Sequence, residues 1–131
     1  MKACARTLDL PIEDPQAFIE AALPKPEPKG LDILVSVKAV AVNPVDTKVR
    51  SGRGKGGAAE DPPRVLGWDA SGIVEATGPD ASLFSKGDEV YYAGDIPRAG
   101  TNAEVHAIDE RLVGRKPKTP RLSLATALPS A

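Results

Sequence analysis

The sequence predicts a mainly β fold, a barrel or sandwich of short strands with one short internal helix. Three observations carry the prediction. Proline (13) and glycine (12) are both plentiful among the 131 residues, above their combined average of roughly 12%. They are scattered without a period, as turns between short strands would scatter them. The clearest apolar periodicity is alternation: Leu31, Ile33, Val35, Val37 and Ala39 share one face of an extended segment, and Asp32, Ser36 and Lys38 share the other. Turn signals recur every 8–12 residues or so, the spacing of sandwiches and barrels. The length suits one domain with a single core.

Taken in order, Met1 to Arg6 reads as a first strand and Asp9 to Pro15 as turn-rich. Ala17 to Leu23 suits a strand or a helical turn. The prolines at 24, 26 and 28 end it, because proline cannot continue a helix. Leu31 to Val40 is the clearest strand, and Leu34 and Val40 on its polar face imply that this face is partly covered. Asn43 and Pro44 open a short helix that runs to Arg50. Asparagine caps free backbone N–H groups, and proline fits the first helical turn. Ser51 to Pro63, SGRGKGGAAEDPP, is a loop by composition, expected to be exposed and mobile. Arg64 to Leu66 extends, and Ala70 to Thr77 is a strand. Turns at Gly78-Pro79-Asp80 and Lys86-Gly87-Asp88 precede strands at Glu89 to Ala93 and Ala103 to Ile108. A short strand follows at Arg111 to Gly114.

Seventeen basic residues against eighteen acidic ones leave a formal charge of −1, which gives no electrostatic reason for a nucleic-acid or anionic-membrane partner. The single cysteine, Cys4, permits no intrachain disulfide and no cysteine-rich zinc site. MKACARTLDL lacks the apolar stretch of a signal peptide, and no run approaches the roughly 20 apolar residues that span a bilayer. A soluble, cytoplasmic protein is expected.

Several residue groups invite a chemical reading. Gly52-Arg53-Gly54-Lys55-Gly56-Gly57 matches G-x-G-x-x-G, but that pattern binds dinucleotide phosphates only between a strand and a helix. Here it reads as a surface loop. His106, the only histidine, lies in an alternating segment and is expected at the surface or a rim, while Cys4 is expected as a small buried apolar residue. One of Tyr91 and Tyr92 should point inward to pack. Gly67-Trp68-Asp69 has two readings: a core tryptophan with a turn aspartate, or an aromatic wall and a hydrogen-bonding acid at a pocket mouth.

Four segments in order then carry a resemblance: Asn43-Pro44-Val45-Asp46-Thr47, the run Arg64 to Val74 (RVLGWDASGIV), Lys86-Gly87-Asp88-Glu89-Val90-Tyr91, and Gly100-Thr101-Asn102-Ala103-Glu104. They resemble the N-terminal, GroES-like catalytic domain of the medium-chain dehydrogenase/reductase superfamily, nearest the quinone oxidoreductase and zinc-type alcohol dehydrogenase-like branch. The resemblance covers essentially the whole chain and implies a GroES-like, partly open β-barrel over residues 1–120.

Within that resemblance the departures are informative. Zinc-dependent alcohol dehydrogenases have a cysteine ligand where this chain has Asn43 and a histidine ligand where it has Trp68. Neither replacement suits zinc, which prefers thiolate and imidazole, and the four-cysteine structural lobe is absent. The resemblance therefore implies no metal. It implies that Asn43 lines the cleft where nicotinamide meets substrate, as a neutral donor and acceptor, and that Asp46 fixes the corner. Lys48 stands where quinone reductases often carry tyrosine. It could neutralise an oxyanion or cofactor phosphates, or be a solvated helix residue. The implied catalytic residues are thus Asn43, Asp46 and Lys48, with Asn43 and Lys48 toward the cofactor and Trp68 and Asp69 toward a small-molecule substrate.

Family members run to well over twice this length, and a second, Rossmann domain holds NAD(P)H. Ser123 to Pro129 resembles the stretch leading into the inter-domain helix, so residues 121–131 read as the start of a linker. The expectation is the catalytic portion of a zinc-free, NADPH-dependent reductase of quinones, enones or activated carbonyls. It would be inactive alone and homo-oligomeric in its full-length parent. The competing expectation is a stand-alone GroES-like module that binds a protein or itself through apolar surface.

Overall fold

The computed structural model describes residues 1–7, 10–51, 63–118 and 121. The glycine pattern at 52–57 and the segment 122–131 lie outside the described residues. The elements are β1 (Lys2–Arg6), β2 (Ile19–Ala22), β3 (Asp32–Ala41), α1 (Pro44–Arg50), β4 (Arg64–Val65), β5 (Asp69–Thr77), β6 (Glu89–Ala93), β7 (Val105–Asp109), a 3-10 turn (Glu110–Leu112) and β8 (Val113–Arg115). They form two antiparallel sheets, ordered β2-β1-β4 and β7-β3-β5-β6-β8.

Residues 102–104 link the sheets along one side. Ala103 bridges Ala3, the Cys4 N–H donates to the Asn102 carbonyl at 2.7 Å, and the Val37 N–H donates to the Glu104 carbonyl at 3.0 Å. The result is the partly open, GroES-like barrel expected of a chain with many turns and short strands.

The larger sheet carries the main core, in which Ile33 and Val35 of β3, Val74 of β5, Val90 and Tyr92 of β6 and Ile108 of β7 pack with Phe84. The smaller sheet packs Ala3, Ala5, Ala21 and Val65. As expected, the inward tyrosine is one of the pair, Tyr92. The alternation of β3 holds only in part. Ile33, Leu34 and Val35 are all buried, whereas Val40 is 43% exposed. Register shifts between Leu34 and Val35 and between Val37 and Ala39 interrupt the ladder with β5, so the period of two is broken twice within one strand.

Cys4 corrects its expectation: the thiol is exposed. Period two decides it, because Ala3 and Ala5 face the small core and Cys4 must face the other way. Partial burial still holds its pKa above the ordinary value.

Candidate functional site

The corner between β3 and α1 is built by local chemistry. Asn43 is extended, with φ −130° and ψ 168°, and Pro44 is the first helical residue. The Asn43 carbonyl accepts the Asp46 N–H at 2.9 Å, and the Asp46 carboxylate accepts the Asn43 N–H at 2.7 Å. This return bond from the third helical position satisfies a donor at the chain's entry into the helix. Asp46 is buried, Lys48 is exposed, and Lys48 and Arg50 occupy the last turn, where cations oppose the helix dipole.

The far end of α1 is tied to the N-terminal region. The buried Arg6 guanidinium donates to the Arg50 carbonyl, and Arg50 Nη1 donates to the Leu10 carbonyl at 2.9 Å.

The strand register brings in the second half of the site. Ala41 pairs with Asp69, so the residue two places after Ala41 lies beside the start of β5. Asn43 Nδ2 donates to Asp69 Oδ2 at 2.5 Å. Asp69 is 3% exposed and Trp68 is 2% exposed.

The strand lead-in, Leu66 to Trp68, is held by backbone bonds to Gly100–Asn102 and to Gly94. Thr101 N–H donates to the Gly67 carbonyl at 2.8 Å, Asn102 N–H to the Leu66 carbonyl at 2.9 Å, and Gly94 N–H to the Trp68 carbonyl at 2.6 Å. Gly67 has φ +92°, a left-handed region open to glycine at little cost. Burial favours the core reading of Trp68. Its indole N–H, like the Thr101 hydroxyl, meets no hydrogen-bond partner among the described residues.

Asn43, Asp46 and Asp69 therefore converge, Lys48 is exposed on the same helix, and Trp68, which precedes Asp69 in the chain, is buried. A separate groove of about 720 Å³ is lined by Lys2, Cys4, Phe18, Glu20, Val40, Val42 and neighbouring residues of β1–β3 and Thr101–Ala103. None of Asn43, Asp46, Trp68 or Asp69 lines it. The site's polar groups sit at the corner, not in this concavity.

His106 corrects its expectation. It is 5% exposed. Its Nε2 lies 3.0 Å from the Ala99 carbonyl and its Nδ1 3.0 Å from the Tyr92 hydroxyl. A carbonyl only accepts, so Nε2 carries the proton and Nδ1 accepts from tyrosine. The rings stack at 5.6 Å between centroids. Burial lowers the imidazole pKa to about 4, with the Arg98 charge adding in the same direction and the Ala99 bond opposing. Burial raises the Tyr92 pKa. Sequence distance hid this pair, since β6 and β7 are separated in the sheet by β5 and β3.

The described residues at this corner do not offer the donor set that zinc prefers. Among the described residues no three His, Cys, Asp or Glu side chains gather to hold a metal. An amide and a buried indole are poor zinc donors, and His106 is engaged with Tyr92 and Ala99.

The two-sheet β domain with a capped helix after its longest strand fits a GroES-like fold. The chain belongs to the alcohol dehydrogenase GroES-like domain family, which matches residues 29–118, and through it to the medium-chain dehydrogenase/reductase superfamily. It is similar to a zinc-type alcohol dehydrogenase-like protein of Staphylococcus aureus, with 47% identity over 105 residues, covering 80% of this chain and 30% of that protein. A NADPH-dependent alkenal/one oxidoreductase of Arabidopsis thaliana is 38% identical over 120 residues, covering 86% and 31%.

Among solved structures, a protein of Rhizobium etli described as a zinc-dependent alcohol dehydrogenase superposes with a TM-score of 0.91 at 54% identity, over 98% of this chain and 36% of that one. A quinone oxidoreductase from Coxiella burnetii superposes with a TM-score of 0.84 at 27% identity, over 99% and 41%. The chain thus spans about a third of the length of the curated relatives it matches. Among the described residues no helix is long and apolar enough to cross a membrane.

Proposed function

We propose that this chain is the substrate-facing part of a zinc-free, NADPH-dependent reductase of enones, quinones or other activated carbonyls. Residues 1–120 form its domain and 121–131 begin the link to a cofactor domain. The single observation that carries the reading is the amide–carboxylate corner: Asn43 held by Asp69 and Asp46 where zinc-dependent relatives would require ligands. Support for the substrate class comes from the alkenal/one and quinone oxidoreductases to which the chain is similar.

When bound, NADPH supplies the hydride. Asn43 and Lys48 are the residues of this chain that would face it. Reduction of an activated carbonyl leaves negative charge on oxygen. A nearby ammonium such as Lys48 would lower the energy of that charge before a solvent proton neutralises it. Alone, the chain is expected to be inactive, because hydride transfer needs both reactants held in near-contact.

The test is a fusion of this chain to the remaining part of the Rhizobium etli relative. NADPH oxidation is followed with cyclohex-2-en-1-one and with a benzoquinone. Turnover is expected from the fusion and none from the 131-residue chain. Asn43→Ala should lower kcat about tenfold or more, and elemental analysis should find well under one zinc per chain. Activity that tracks stoichiometric zinc and is lost to chelation would overturn the reading.

A second reading is favoured by the groove. Phe18, Val40 and Val42 leave apolar surface exposed there, Val42 at 75%, and Lys2 and Glu20 place opposite charges on its wall. Such a surface suits a module that pairs with a second copy of itself. Sedimentation should then show a concentration-dependent dimer that Val42→Lys abolishes. A monomer at all concentrations removes this reading.

A further inference from the structure

Resting on the reading that this chain is part of a longer reductase, we propose that the second half of β3 is an open edge that takes up an added strand. The strand comes from the part of the parent protein outside this chain, and it carries a carboxylate flanked by apolar residues. The register defines the edge. β5 pairs with β3 from Ile33 to Ala41, but β7 covers the other side only from Asp32 to Ser36. The last main-chain bond on that side runs from the Val37 N–H to the Glu104 carbonyl at 3.0 Å. There the neighbouring chain leaves for the small sheet, where the Glu104 N–H donates to the Lys2 carbonyl at 3.1 Å and Ala103 bridges Ala3. Among the described residues, Lys38 to Ala41 therefore have no main-chain partner on the β7 side. Four residues make roughly 13 Å of bare edge.

The edge does not face flat solvent. It forms one wall of the 720 Å³ groove, through Val37 to Val40 and Val42, and the facing wall carries Lys2, Cys4, Phe18 and Glu20. An added strand lies about 4.8 Å from its neighbour, inside this concavity. Main-chain hydrogen bonds to an open edge give such a strand its hold, and the side chains around it select its sequence. Phe18, Val40 and Val42 are exposed at 42, 43 and 75% and select apolar residues. Lys2 and Glu20 pair with each other at 3.3 Å. Lys38 is exposed and has no hydrogen bond or ion pair among the described residues. It selects a carboxylate, because opposite charges across neighbouring strands stabilise and like charges do not.

Two facts favour the parent's own chain as the source. The curated relatives are about three times as long as this chain, so most of the parent lies outside it. A tethered segment also binds at high effective concentration, so an addition only a few residues long suffices. A second copy is disfavoured, since it brings its own Lys38 to the edge. The parent chain thus returns to this domain to complete its sheet. The strand also clamps the end of β3 that leads into the Asn43 corner.

The experiment compares amide hydrogen exchange in the 131-residue chain and in the fusion. The amides of Lys38 to Val42 that exchange freely in the chain should exchange about 100-fold more slowly in the fusion, whatever the protein concentration. A zero-length carbodiimide should crosslink Lys38 to an aspartate or glutamate of the added part. In the fusion, Lys38→Glu should abolish that crosslink and speed the edge amides about tenfold, while the same change leaves the unfolding midpoint of the 131-residue chain near native. Supplied as a separate polypeptide, the added part should slow the same amides.

Edge amides slowed by neither route overturn the inference. Protection that rises with concentration, with Lys38 crosslinked between identical chains, also overturns it, assigning the edge to a second copy. A fusion that protects the edge but reduces neither enone nor quinone overturns the reductase reading alone. A fusion that turns over substrate with its edge bare overturns the added strand alone.

Discussion

Gly100→Ala is expected to destabilise the fold by roughly 3 kcal/mol, a large share of a total that in small domains is only about 5–15 kcal/mol. A Cβ at this position would meet the Leu66 carbonyl carbon and oxygen at 2.3 Å and the Gly67 oxygen at 2.6 Å. All three are main-chain atoms, so no rotamer change relieves the overlap. The opposing segments are tied by the Gly100 N–H to the Val65 carbonyl at 3.0 Å and by the bonds of Thr101 and Asn102 to Gly67 and Leu66. Separating them would loosen the lead-in to Trp68 and Asp69. Trp68 is the only tryptophan, so its emission during urea unfolding reports the change directly. Gly87→Ala is the control. It has φ +95° but nothing within 4 Å of the added Cβ, so only the backbone term of about 1–2 kcal/mol applies. If the two variants unfold at the same urea concentration, the close approach at Gly100 is not a constraint.

The second large effect is a loss of stability in mild acid. Folded His106 binds its proton with a pKa of about 4 against an ordinary 6.5. The folded state thus favours the neutral ring, which accepts from Tyr92 and donates to Ala99. Above pH 6.5 the ring is neutral in both states and the contribution is fully present. Between 6.5 and 4 the unfolded chain takes up a proton that the folded chain refuses, and stability falls. Below 4 both are protonated and the loss is complete, about 3 kcal/mol in all. Urea unfolding at pH 7, 5.5 and 4 should show this decline. His106→Gln should be less stable than native at pH 7 and show a flatter acid limb. A variant whose acid limb is as steep as the native one would assign the decline to carboxylates instead.

The legible part of this molecule was the part set by neighbours in sequence. The helix at Pro44–Arg50 follows from an asparagine and a proline placed where a helix must begin, and the return bond of Asp46 lies three residues from Asn43. β3 was legible from alternation, though not its bulges, because a broken register depends on the strand opposite. The Asn43–Asp69 bond spans 26 positions and exists only because Ala41 pairs with Asp69, information that no single segment carries. His106 was misjudged for the same reason, its partner being three strands away in the sheet. Cys4 differs. Its outward direction was readable from the alanines on either side, and a general preference of cysteine for the interior outweighed a local signal that was stronger.

The placement of β3 between β5 and β7 also governs how the chain can be made. β3 ends at Ala41, but one partner begins at Asp69 and the other at Val105. At ribosomal rates of roughly 5–20 residues per second, the longest strand waits for seconds with one or both edges bare. Non-local pairing of this kind slows folding toward the millisecond-to-second range and exposes a nascent edge to its neighbours. Within that run of Ile, Leu and Val, Lys38 is the one cation, and it stays exposed in the finished fold. A charge in the middle of a waiting edge discourages a second nascent chain from adding to it, and Lys38 occupies that position in β3.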